Sequence, residues 1–210
     1  RQVVGTAAQV LLDGGEVKPG FVSQASTSKG YLSSGEIIHK GLIVRSDDRS
    51  KIPFIALESN TFNGTGTIWI DGAGKSHLLD AEGKPKPHDQ KLLAEGHAVA
   101  SVDLLLTGES APSDGRTHHL KISEDYAGKT FAYNRPLFAE RVRDTVASIA
   151  ITLAEPNVSR IQLVGTGEAA PVVLLAATQL RGLVHEVVVD LEGKNLSQIQ
   201  TSSDPLFLPG

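Results

Sequence analysis

The stretch RIQLVGTGEAAPVVLLAA, residues 160–177, constrains this chain more than any other. An apolar run with β-branched residues ends in a glycine turn, and the turn passes directly into a second apolar run of helical composition. Neither run has a polar face, so both must be covered. A strand and helix of this kind fit a parallel sheet with helices on both faces. The turn presents whatever stands at its apex, and the apex residue is Gly167. Gly165 and Gly167 are expected where a side chain would collide with the strand or helix, or where φ is positive.

The rest of the chain supplies the same alternation. EIIHKGLIVRSDDRSKIPFIALES gives two β-rich runs around the polar turn Ser46–Lys51, a hairpin signal. GTIWIDGAG reads as a short buried strand, HDQKLLAEG as a helix stopped by Gly96, and HAVASVDLLLTGE as a strand with Asp103 near its end. From Pro136 a helix follows, because Phe138, Val142, Val146, Ile149 and Leu153 recur at helical spacing. HEVVVDLEG is a further strand, apolar enough to be buried inside the sheet. The expected fold is α/β: a mostly parallel sheet with helices on both faces, preceded by an antiparallel hairpin. Residues 1–34 read as an irregular lead-in and residues 35–210 as the domain.

Composition narrows the function. No Cys excludes disulfides, zinc–thiolate sites and a cysteine nucleophile. A formal charge of -4 with scattered Lys and Arg gives no footprint for nucleic acid. No apolar run approaches a bilayer-spanning length. The chain also lacks Met, so it is expected to be a processed or incomplete product.

Two chemistries suit the turn. Gly165, Gly167 and Ala170 satisfy G-x-G-x-x-A between strand and helix, with Asp190 ending the next strand where a ribose hydroxyl would be met. Glu168 opposes that reading by placing negative charge where phosphates would lie. Alternatively, LVGTGEAA matches the small residues of a Gly-x-Ser-x-Gly nucleophile elbow at Gly165 and Ala169, with Gly167 in place of the serine. The order hairpin, TIWIDGAG, HAVASVDLLLTGE, helix and elbow favours the second.

On these pieces, together with YNRPLFAERV and the final DPLFLPG, residues 35–210 resemble the acetyl xylan esterase-type branch of the α/β-hydrolases. The resemblance implies that Asp71–Gly74 takes the place of the oxyanion loop, with Asp71 and Gly72 where His-Gly is usual. It gives Glu168 a backbone N–H as an oxyanion donor, or a carboxylate of its own. It further implies an ester or carbohydrate-derived ligand, no cofactor, and an extracytoplasmic or secreted location. The chain departs from the family at the nucleophile, and no histidine follows His185. By the same comparison the domain is expected to be incomplete at its C-terminal end. The free edge of HEVVVDLEG would then be covered by another copy, by a missing segment or by Leu206–Pro209.

Other polar residues have plainer readings beside the functional ones. Glu168 at a helix start suits the helix dipole. His118 and His119, in a long polar connection at residues 105–135 with Tyr126 and Tyr133, have no third ligand spaced to hold a metal. Asp103 and Asp190 each end a strand and so suit the following turn. Trp69 suits the core, and His185 starts a strand at the end of the sheet remote from the elbow.

Overall fold

The computed structural model describes residue 12 and residues 20–112, 135–180 and 182–198. The strands are β1 (Val22–Tyr31), β2 (Ile37–Arg45), β3 (Lys51–Glu58), β4 (Thr65–Asp71), β5 (Ala98–Val102), β6 (Arg160–Thr166) and β7 (Glu186–Asp190). The α-helices are α1 (Pro87–Ala94), α2 (Leu137–Leu153) and α3 (Ala170–Gln179). All seven strands join one sheet in the order β1-β2-β3-β5-β4-β6-β7. β4 pairs in parallel with β5 and β6, and β6 with β7. β1–β2, β2–β3 and β3–β5 are antiparallel, so only β1 and β3 run against the other five. The expected mostly parallel core is present, and the hairpin is part of the same sheet.

Alternation along the strands divides the core. Ile68 and Ile70 of β4 face α2 and α3, together with Phe54, Ile161, Val146, Ile149 and Val173. On the other face Leu57, Val99 and Leu78 pack with Leu93 of α1, and Trp69 adjoins them. The helical spacing expected from Pro136 onward is met, with Val142, Val146 and Ile149 buried on α2. The expected apolar helix after the elbow begins with a 3-10 turn, Gly167–Ala169, before α3 proper. Among the described residues, no helix is long and apolar enough to cross a membrane.

One expectation is corrected. The lead-in is not irregular throughout, because residues 22–31 form β1 along β2 with a register shift between Gln24 and Ser26. β1 lies at the end of the strand order, so its sequence VSQASTSKGY needs no apolar alternation. Among the described residues β7 ends the strand order, with Val187 40% and Val188 42% exposed, so its expected partner on the free side lies outside them. Its apolar character follows from α3 covering the Val189 region, not from burial on both faces. His118, His119, Tyr126, Tyr133 and the segment Leu206–Pro209 lie outside the described residues.

Candidate functional site at the carboxyl edge of the sheet

Five strands end on the same edge, and the turns leaving it carry the candidate residues. In open α/β sheets this is the edge where ligands bind. Thr166, the last residue of β6, has Asp71 of β4 and Asp190 of β7 as its Cα partners on either side. Its hydroxyl donates to Asp71 Oδ2 and accepts the indole N–H of Trp69 at 3.1 Å. Asp71 Oδ1 also accepts the Ala73 N–H at 2.8 Å, which starts the loop after β4.

The apex follows at once. Gly167 has φ of 56°, in the left-handed region that L side chains seldom adopt. Among the described residues a Cβ there would have only the Glu192 carboxylate nearby, its Oε1 at 3.3 Å. Gly165 is glycine for another reason: a Cβ would stand 2.7 Å from that of Val173, where β6 and α3 approach each other. Both meet the geometric expectation for the turn. Gly72 closes the site from the other side, since a Cβ on it would lie 3.4 Å from Glu168 Cβ and 3.9 Å from Glu168 N. The loop beginning Asp71–Gly72 and the backbone just past the apex therefore face one another.

The space between them is small. A cavity of about 10 Å³ lies among Asp71, Gly72, Thr107, Arg141 and Glu168, enough for about one water molecule. Arg141 donates through Nε to the Leu105 carbonyl at 3.0 Å. Burial holds its pKa below the usual guanidinium range, against the pull of Glu168 and Asp144. A larger cavity, about 290 Å³, opens farther along the edge beside Arg45, Asp48, Asp103, Glu140 and Asp144. There the buried Arg45 guanidinium joins the β2–β3 turn to α2, through Asp48 at 2.5 Å, Ser50 at 2.9 Å and Glu140 at 2.6 Å.

Asp103 does more than end a strand. It is 1% exposed and accepts the backbone N–H groups of Lys75 at 2.8 Å and Glu109 at 2.9 Å, and it pairs with the Lys75 ammonium. One carboxylate thus fixes the loop after β4 to the loop after β5. Asp190 accepts the Glu192 N–H at 2.7 Å, so it does cap the turn it precedes. His185 is bound at the far edge, its Nδ1 accepting the Ile161 N–H at 3.1 Å, and it takes no part at the elbow. Ala170 lies buried at the start of α3, where Pro171 removes one of the N–H groups a bound phosphate would use.

Sequence reasoning missed a second constellation behind Trp69. The rings of His77 and His88 lie 5.5 and 4.5 Å from its ring. His77 is buried, with Nε2 3.2 Å from Ser101 Oγ and 3.3 Å from the Trp69 carbonyl; burial pushes its pKa down to about 4. His88 Nε2 stands 2.9 Å from Asp89 Oδ2, but neither oxygen of that fully buried carboxyl receives a hydrogen bond. Burial pushes the Asp89 pKa up to about 7. His77 comes from the 3-10 turn Gly74–Leu78 after β4 and His88 from α1, so spacing along the chain gave no signal. Among the described residues no three His, Cys, Asp or Glu side chains are grouped to hold a metal ion.

The strand order, the left-handed turn after β6 and the helices on both faces define an α/β-hydrolase fold, and comparison with solved structures agrees. A candidate acetyl xylan esterase from Bacteroides fragilis superposes with a TM-score of 0.65 at 13% identity, over 89% of this chain and 51% of that one. An acetyl xylan esterase from Paenibacillus sp. R4 gives 0.53 at 13% identity, over 84% and 54%. A CE15 esterase from a marine bacterial metagenome gives 0.52 at 10% identity, over 80% and 52%. The chain thus spans about half the length of these structures. No protein-family model and no curated protein sequence matches it.

Proposed function

We propose that this chain is an esterase-like α/β-hydrolase whose elbow no longer supplies a serine nucleophile, and that it holds an ester or carbohydrate-derived small molecule at the carboxyl edge of the sheet. The observation that carries this reading is Gly167 at φ of 56°, facing the Asp71–Gly72 loop across Glu168. The conformation of a nucleophile elbow is kept and its reactive atom is gone. In the part-exposed segment after β7, Glu192 is the side chain beside the empty apex position. The free side of β7 is covered by another copy or by further chain. Dinucleotide binding is the weaker reading, because Glu168, Pro171 and a cavity of about 10 Å³ all oppose a pyrophosphate there.

Turnover of short acyl esters tests the proposal directly. The wild-type chain should give no hydrolysis above buffer, while esters or acetylated sugars should perturb backbone resonances around residues 71–74 and 166–169. Turnover at an esterase's rate would overturn the first half, and unperturbed resonances the second.

A further inference from the structure

A cavity larger than either of those at the carboxyl edge lies at the other end of the sheet from the elbow. It occupies about 380 Å³ between the last turns of α2 and the sheet face of β2, β3, β5 and β4, within the range of roughly 300–1,000 Å³ typical of small-molecule sites. Its origin is legible in the packing. At Gly66 of β4 the helix comes close, since a Cβ there would lie 3.0 Å from Thr152 Cγ2. One and two strands farther out the sheet presents Ala100 and Ala56, direct cross-strand partners, whose methyl groups are too short to reach α2. Phe54, Ile151 and Val158 complete apolar walls.

The mouth has a definite sign. Glu58 and Glu155 line it, and among the described residues the only cationic-capable side chain there is His39, 3.3 Å from Glu58. Neither Lys nor Arg is among its described lining residues. Glu155 directly follows Ala154, the cap of the 17-residue α2, so the negative end of that helix dipole adds to the same field. An anionic ligand would be repelled; a cationic head would meet two carboxylates.

We infer that this cavity binds an amphiphilic organic ammonium ion, its apolar body between α2 and the Ala56–Ala100 pair and its charged head between Glu58 and Glu155. The site is independent of the elbow and of any reaction there.

Titration of the full chain with 4-phenylbutylamine and with 4-phenylbutyrate, followed by backbone amide shifts, tests it. The amine should bind at least about tenfold more tightly than the carboxylate, with shifts centred on Ala56, Ala100 and Val158. Ala100→Leu, which fills the cavity, should weaken amine binding at least about tenfold, and Glu155→Gln should narrow the preference for the amine. Equal binding of the two probes, shifts centred elsewhere, or no binding by the wild-type chain would each overturn the inference. Should Ala100→Leu fail to fold, the shift map and the Glu155→Gln comparison still decide it. Ester turnover plays no part in any of these readouts.

Discussion

The Thr166 hydroxyl donates to the Asp71 carboxylate, so the ends of β6 and β4 are tied together one residue before the apex. The turn is therefore braced by its neighbours as well as allowed by the glycine at its tip.

Fluorophosphonate labelling should accordingly leave the chain unmodified, because no serine stands at the apex. Gly167→Ser should not bring turnover, since His185 is bound to Ile161 at the far edge and no histidine follows it. It should lower stability by about 1 kcal/mol, the cost of a left-handed serine. A stoichiometric adduct on the wild-type chain would defeat the reading.

Gly165→Val should be more damaging than Gly167→Ala, because the first adds atoms 2.7 Å from the Val173 side chain and the second only strains φ. Overpacking at Gly165 should cost about 1–3 kcal/mol in denaturant unfolding. Equal stability of the wild type and Gly165→Val would show that β6 and α3 do not meet as described.

These two glycines mark how far the sequence could be read. The strand, turn and α3 were legible because both flanks are apolar throughout, and α2 because its buried residues repeat at helical spacing. β1 was not, since an edge strand of Ser, Thr and Gln carries no alternation to detect. Asp103 could be placed at a strand end, but its contacts lie 28 residues back at Lys75 and 6 ahead at Glu109. The Lys75 contact depends on β5 lying beside β4 in the sheet.

Asp103→Ala should release both loops. Removing the carboxylate leaves the Lys75 ammonium without its buried partner and two N–H groups unbonded, a loss of about 3–5 kcal/mol. Hydrogen exchange at Lys75 and Glu109 should accelerate in the variant. Unchanged exchange at both would assign the carboxylate no such role.

Asp89→Asn should change the pH dependence of stability. The folded pKa, pushed up to about 7 by burial, exceeds the ordinary value of 3.8, so the folded state keeps a proton that the unfolded state releases. Asp89 thus contributes stability that is full below pH 3.8 and is lost as pH rises through about 7. Above that, Asp89→Asn should be the more stable protein by roughly 1–3 kcal/mol. His77, pushed down to about 4, has the opposite slope and loses stability as pH falls from 6.5 through 4. Parallel melting-temperature profiles for the variant and the wild type between pH 5 and 8.5 would refute the assignment.

If the edge of β7 is covered, amides of Val187–Val189 should exchange slowly in the associated or extended protein. Fast exchange there in a demonstrated monomer would show the edge open and weaken the esterase-like reading.

The empty place above Gly167 has a consequence for variation. Among the described residues a Cβ there meets only the carboxylate of Glu192, in an exposed segment, and the backbone sets a further limit, a positive φ. Asn and Asp accept that conformation most readily after glycine. Position 167 is thus a place where a small left-handed residue would meet Glu192 and not the packed core described around it, so an exchange there would chiefly change the group presented on the edge.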